Sequence, residues 1–187
     1  EVPIEQLIGP VEVGGVFIVP STIQLAGAEI ELVSAFSRET KLKSVIQPVL
    51  RDFDYIIIDC PPSLGLLTIN ALTASSGVLI PVQCEYYALE GLTKLLETVR
   101  LVKTQLNPGL DIFGVVMTMY DRRTRLSQQV VDEVRDFFGE QVFETLIPRS
   151  VRLSEAPSFG QPGALYDPTG RGTDAYRQLA KEVVSRV

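Results

Sequence analysis

The 187 residues contain no histidine. Within this chain that excludes a Ser-His-Asp triad, a Cys-His pair and any zinc site built on imidazole. Chemistry falls instead to carboxylates, lysines and arginines, hydroxyls, backbone amides or a metal held by oxygen. Cysteine is nearly as scarce. Cys60 and Cys84 form no CxxC pair, which suits a reduced cytosolic protein with both thiols buried. No apolar run approaches the ~20 residues that a transmembrane helix needs. The chain has neither a Gly-rich phosphate loop ending in Gly-Lys-Ser/Thr nor the GxGxxG turn of a Rossmann-type dehydrogenase. Repeats, linkers and low-complexity segments are also missing.

What is present is a globular composition, 45% hydrophobic with aliphatics spread along the whole length. That length is enough for one domain, residues 1–187, with a substantial core. Net charge is −6, which argues against wholesale coating of nucleic acid. The charge is uneven, however. Residues 1–120 hold 7 basic and 13 acidic residues, whereas residues 121–187 hold 10 of each, and nine of those ten basic residues are arginine. A local basic patch in the C-terminal third is therefore open to the chain.

Hydrophobic periodicity lays out alternating strands and helices. Val16-Phe17-Ile18-Val19, between Gly14-Gly15 and Pro20, reads as a buried strand. Ser21 or Thr22 caps a helix through Leu32, and Ser37 caps another that runs to about Leu50. The run from Phe53 to Asp59 is apolar on both faces at its centre, as in a strand inside a parallel sheet. A helix over about Leu64 to Ala74 leads to a strand at Val78–Val82. A long helix from Ala88 to Leu106 carries Leu92, Leu95, Leu96, Val99 and Val102 on one stripe, and Asn107-Pro108-Gly109 ends it. Strands at Ile112–Met119 and Val142–Ile147 flank a helix that Gly139 closes. Residues 150–173 read as irregular, and Asp174 to Val187 as a last helix. The class is α/β, with a mostly parallel twisted sheet flanked by helices.

Ligands in such sheets sit at the carboxyl ends of the strands, and three segments fall there. Asp59-Cys60-Pro61-Pro62-Ser63 puts an acid at the end of an apolar strand, the Walker B arrangement, in which the carboxylate orients Mg²⁺ or its water near nucleotide phosphates. The same acid could simply cap the next turn. Thr118 to Thr124 carries Arg122 and Arg123 from a strand into a helix, a place for phosphate contacts or for a plain polar loop. Ile147 to Pro157 follows the next strand with Arg149 and Arg152 three apart; taken alone it is equally a solvated loop.

Together these segments resemble the ParA/Soj family of partitioning ATPases. The runs that carry the resemblance are Tyr55-Ile56-Ile57-Ile58-Asp59-Cys60-Pro61-Pro62-Ser63-Leu64-Gly65, Pro81-Val82-Gln83-Cys84-Glu85-Tyr86-Tyr87-Ala88-Leu89-Glu90-Gly91 and Pro148-Arg149-Ser150-Val151-Arg152-Leu153-Ser154-Glu155-Ala156-Pro157. The likeness spans nearly the whole chain and favours the chromosomal Soj-like branch. It implies a P-loop NTPase-like fold and an ATP-dependent homodimeric switch. It further implies non-specific DNA binding, work with a ParB-type partner on chromosome or plasmid segregation, no membrane, and a cytoplasmic, nucleoid-associated location. By the same resemblance Asp59 is the Walker B acid, serving catalysis and Mg²⁺. Pro148 and Ser150 hold the adenine of ATP, although the family usually has Asn where Ser150 stands. Arg123 and Arg152 contact DNA. Gly163 and Thr169-Gly170 also depart from the family pattern.

The resemblance further implies a Gly-rich loop with two lysines near the family's N-terminus, so that this chain would begin roughly 65 residues into the pattern, beyond the first strand. The sheet is then expected to be incomplete on its N-terminal side and these residues alone to be inactive. A non-catalytic binding module is the competing reading, and a Gly-rich loop with two lysines upstream would decide against it. A Rossmann-type dehydrogenase is disfavoured by the missing GxGxxG.

Overall fold

An aliphatic run becomes a strand only where another strand takes up its backbone N–H and C=O groups. In this protein that condition separates the expected strands that form from those that do not. The structure is a computed structural model and describes residues 2–86 and 88–187. Tyr87, in the middle of the Pro81–Gly91 run, lies outside the described residues. The chain divides into two compact units, Glu1–Gly77 with Glu97–Asp111, and Val78–Leu96 with Ile112–Val187.

In the first unit, β1 (Gly9–Pro10) and β2 (Phe17–Ile18) form a two-residue antiparallel ladder. The buried strand expected at Val16–Val19 is thus shortened, and it is exposed, because a ladder this small has no layer to lie under. Three helices follow, α1 (Gln24–Val33), α2 (Lys41–Ile46) and α3 (Leu66–Ala74). Thr22 Oγ1 accepts the Gln24 N–H at 3.3 Å ahead of α1. Ser37 does not cap α2: it has a left-handed backbone, φ 51°, and precedes a 3-10 turn. Another 3-10 turn, Gln47–Val49, finishes the segment at Pro48.

Asn70 of α3 knits this unit together. Its Oδ1 accepts the Leu42 N–H at 3.1 Å, and its Nδ2 donates to the Arg38 and Leu66 carbonyls at 2.7 and 2.9 Å. Asn107 plays the matching part at the other end of α3, donating to the Leu72 and Ser75 carbonyls.

The strand expected over Phe53 to Asp59 does not form. Residues 55–61 have no regular secondary structure, and Ile57 is 91% exposed. The side-chain pattern is that of a central strand, but among the described residues no strand pairs with the segment. Without a ladder on either side an apolar run cannot satisfy its own backbone.

In the second unit the pattern is realised closely. β3 (Gly77–Gln83), β4 (Asp111–Tyr120) and β5 (Val142–Pro148) form one sheet in that order, with β4 and β5 parallel. The helices are α4 (Ala88–Gln105), whose first half belongs to this unit, α5 (Arg125–Phe138), α6 (Val151–Glu155), α7 (Gly163–Tyr166) and α8 (Arg171–Ser185). The period of two along β4 sends its residues to opposite faces. Val115 and Met117 pack with Ile80, Val82, Leu92, Val131 and Val134 beneath α4 and α5. Val116 packs with Phe143, Ile147, Ala175 and Leu179 beneath α8. Burial on both faces is what a parallel sheet requires.

The outer edge of β5 is covered as well. The Glu182 carboxylate of α8 accepts the Glu144 and Thr145 N–H groups at 2.8 and 3.0 Å, closing an edge that would otherwise invite pairing. The stretch expected to be irregular after residue 150 instead holds α6, a 3-10 turn at Ala156–Phe159 and α7. The first two have local causes: Ser150 caps α6, while Pro157 in the first turn and Gly160 at φ 64° as the stop bound the 3-10 turn. Among the described residues no helix is long and apolar enough to cross a membrane.

Candidate functional site

The carboxyl ends of β3, β4 and β5 lie side by side, and each leads into a polar segment. Past β3, Cys84 is buried and Glu85 is exposed. Burial pushes the Cys84 thiol up to about 11, so it serves the core rather than chemistry. Before β4 ends, Met119 takes a left-handed backbone, φ 53°, a conformation that costs a non-glycine residue of order 1 kcal/mol or more. It turns the chain into Tyr120 and Asp121.

Asp121 organises the next loop. Its Oδ1 accepts the backbone N–H and Nε–H of Arg123, both at 3.0 Å, and its Oδ2 accepts from Nη2 at 2.7 Å. That fork, aided by the more distant Arg149 guanidinium, holds the Asp121 carboxyl well below the usual carboxylate range. The Arg123 side chain remains 83% exposed. Thr124 caps α5, accepting the Ser127 N–H at 3.3 Å. Ser127 Oγ in turn accepts the Asp121 N–H at 3.4 Å and donates to the Cys84 carbonyl at 3.5 Å.

Past β5 the arrangement repeats. The Arg149 N–H donates to the Tyr120 carbonyl at 3.1 Å, and Arg149 Nη2 reaches Glu85 Oε1 at 2.5 Å. Ser150 caps α6, its Oγ accepting the Leu153 N–H at 3.4 Å. Arg152, 65% exposed, pairs with Glu155 at 3.3 Å and lies 5.9 Å from the Tyr166 ring centroid. Tyr166 donates its hydroxyl to Glu155 and stacks on Phe159. The second unit thus brings Arg123, Pro148, Ser150 and Arg152 to one edge of the sheet.

Asp59 belongs to the first unit and stands exposed in the segment that forms no strand. Neighbouring Cys60 is exposed too, not buried as expected. Its Sγ turns back to the Ile58 carbonyl at 3.7 Å, and desolvation there, then the Asp59 charge, pushes the thiol up. Among the described residues no cluster of three or more His, Cys, Asp or Glu could enclose a metal. Mg²⁺ does not require one, since it keeps several waters and takes one or two carboxylates beside substrate phosphates; an exposed acid such as Asp59 fits that use. Ser150 retains its own O–H for donation while Oγ accepts the capping bond, which fits contact with a purine nitrogen.

Sequence reasoning missed Asp121 and Glu85 as the partners of Arg123 and Arg149. Asp121 could have been found from its place two residues before Arg123, the spacing of a local side-chain-to-backbone turn. Glu85 and Arg149 are separated by 64 positions, and no local signal joins them.

Comparison with known proteins places the chain. Residues 1–112 match a family model described as an AAA domain. The sporulation initiation inhibitor protein Soj of Bacillus subtilis (strain 168) is 63% identical over 90% of this chain and 66% of its own length. The chromosome-partitioning ATPase Soj of Treponema pallidum (strain Nichols) is 50% identical over 98% of this chain and 72% of its own length. Among solved structures, cobyrinic acid a,c-diamide synthase from Mycobacterium smegmatis with bound ADP and magnesium superimposes with a TM-score of 0.82 at 35% identity, over 98% of this chain and 67% of that one. The chain spans about two thirds of the length of the curated relatives it matches.

Proposed function

Because the chain belongs to the Soj/ParA family of chromosome-partitioning proteins, we propose that at its relatives' full length it is an ATP-dependent dimeric switch. In this reading it binds DNA without sequence preference and segregates chromosomes or plasmids with a ParB-type partner, in the cytoplasm and on the nucleoid. The observation that carries the proposal is the pair of exposed arginines, Arg123 and Arg152, at the carboxyl ends of neighbouring strands. An acidic protein can hold DNA only through such a local patch.

The remaining roles follow from the chemistry of the donors. Bound ATP with Mg²⁺ supplies the phosphoryl group whose transfer to water, giving ADP and phosphate, resets the switch. Asp59 would hold the ion or its water. The Pro148 backbone and the Ser150 hydroxyl would seat the adenine at the end of β5. Arg123 and Arg152 would each exchange an intramolecular carboxylate for a DNA phosphate. The exchange is cheapest at Arg152, whose solvent-facing pair with Glu155 contributes about 0–1 kcal/mol. A single subunit offers few contacts and little counterion release, so dimerisation, which doubles the patch, is the step that makes binding firm.

The test is retention of the full-length protein on two DNA duplexes of unrelated sequence, with ATP and Mg²⁺, without nucleotide, and with EDTA. Equal binding to both duplexes that depends on ATP and Mg²⁺ is expected. Binding that ignores nucleotide, or that is confined to one sequence, overturns the proposal.

A further inference from the structure

Glu85, Arg149, Asp121 and Arg123 alternate in sign across the carboxyl ends of the three strands. Glu85 leaves β3, Arg149 leaves β5, and Asp121 and Arg123 leave β4. The links are direct. Glu85 Oε1 takes Arg149 Nη2 at 2.5 Å. The Arg149 N–H is bonded at 3.1 Å to the carbonyl of Tyr120, the residue before Asp121. Asp121 then grips Arg123 through three hydrogen bonds. A second path runs in parallel, from the Cys84 carbonyl through Ser127 Oγ to the Asp121 N–H. The left-handed Met119 gives the Asp121 loop a reason to need such support, since strained backbone persists only where its surroundings hold it.

We propose that Glu85 and Arg149 are positioning residues for the DNA contact of Arg123: their ion pair fixes the end of β5 against β3 and so holds the Tyr120–Asp121 turn that aims the Arg123 guanidinium. This inference rests on the reading of Arg123 as a DNA-contacting residue. Arg149 stands between Pro148 and Ser150 in sequence, so the same pair also ties the adenine-seating segment to the Asp121 loop. Occupancy of one would then be felt at the other. In this inference Glu85 and Arg149 act through each other and through the Asp121 turn, and they add no phosphate contact of their own.

A double-mutant cycle tests this in the full-length protein with ATP and Mg²⁺, reading DNA affinity against salt. Arg149→Ala is expected to weaken binding roughly twofold to fivefold, the range that an exposed ion pair supports. In an Arg123→Ala background it should have no further effect, because it acts through Arg123. The charge exchange Glu85→Arg with Arg149→Glu should restore most of the affinity that either single reversal loses, which a general loss of folding would not allow. Thermal melting of each variant accompanies the cycle.

If Arg123→Ala weakens binding but Arg149→Ala adds to it and shallows the salt slope by a further ~0.9, Arg149 is itself a phosphate contact, and the positioning role is overturned while the DNA reading stands. Failure of the charge exchange to restore affinity overturns it too. If Arg123→Ala leaves affinity and slope unchanged, the DNA reading of Arg123 fails, and the inference falls with it.

Discussion

The Asp121 carboxylate takes the Arg123 guanidinium as a fork, Oδ1 accepting from Nε at 3.0 Å and Oδ2 from Nη2 at 2.7 Å. Removing the guanidinium removes the chief cause of the depressed carboxyl. In Arg123→Ala, Asp121 is therefore expected to titrate higher, moving back toward the ordinary aspartate value of about 3.9. The sign for stability follows. A depressed carboxyl contributes stability that is present above its unfolded-state value and is lost as pH falls through the folded value. Wild type should thus lose more stability than Arg123→Ala on acidification below pH ~4. The Arg123 side of the fork is 83% exposed, so solvent screens the pair and the effect is small. Carboxyl-carbon NMR titration of the two proteins checks it; an unchanged Asp121 titration would show that the fork does not persist in solution.

Asp59 is exposed and lies outside any strand, so nothing in the core depends on its side chain. Asp59→Ala in the full-length protein is expected to change folding stability by no more than about 0.5 kcal/mol. Loss of a metal-orienting carboxylate costs several kcal/mol in the transition state, so ATP turnover should fall by roughly a hundredfold or more. Phosphate release and thermal melting, measured on one preparation, separate the two effects. A variant that melted early while keeping its rate per folded molecule would restore the view of Asp59 as a turn-capping acid.

How much of this was legible in the sequence differs between the two units. In the second, β3, α4, β4, α5 and β5 lie where hydrophobic periodicity put them, because the apolar pattern and the available ladder partners agree. In the first, Tyr55 to Asp59 carries the pattern of a central strand but forms none. A side-chain pattern records which faces want burial, not whether a neighbour is there to bond the backbone. Residues 151–166 failed in the other direction. Their helical turns are too short for periodicity to register, yet Ser150, Pro157 and Gly160 each carried a local cap or stop signal. At the site, type and spacing offered Arg122 with Arg123 and Arg149 with Arg152, and only the family resemblance singled out Arg123 and Arg152 among them. Glu85 could not be paired with Arg149, since a contact across 64 positions is a product of the sheet order.

Gly172 in the first turn of α8 lets that helix approach α6 closely. A Cβ built there would lie 2.6 Å from Leu153 Cδ1 and 3.4 Å from Ser150 Cβ. Gly172 is buried, so Gly172→Ala must displace Leu153 and with it crowd α6. It is expected to cost about 1–3 kcal/mol, as overpacking does, and to shift Ser150 and Arg152 together, since both belong to that cap and turn. Chemical denaturation gives the first quantity. The second is read as weakened ATP affinity and weakened DNA affinity in the same full-length variant. If Leu153→Ala in the Gly172→Ala background did not recover affinity, crowding of α6 would not be the cause.

The DNA contact itself makes the sharpest demand. Arg123 and Arg152 each hold one carboxylate now, Asp121 and Glu155, at 2.7 and 3.3 Å. Both guanidinium groups are largely exposed, and water and salt weaken their hold on the resident acids. A DNA phosphate, arriving with counterions already condensed on it, gains entropy when those ions are released. An arginine in balance with its own acid can therefore be captured by DNA at low salt and returned at high salt. Each such capture adds about 0.9 to the slope of log affinity against log salt. Arg123→Ala and Arg152→Ala in the ATP-bound full-length protein should each shallow that slope by about 0.9 for every subunit that contacts the duplex. The loss should be the same for duplexes of unrelated sequence, because phosphate contacts carry no sequence information. Neither residue touches the proposed nucleotide contacts, so ATP turnover without DNA should stay near the wild-type rate. Neutralising the resident acid is expected to do the reverse. Glu155→Gln leaves Arg152 without its competing charge and should tighten DNA binding, most visibly at low salt. A slope unchanged in both arginine variants, or affinity unmoved by Glu155→Gln, would show that the DNA-facing patch is built from other residues.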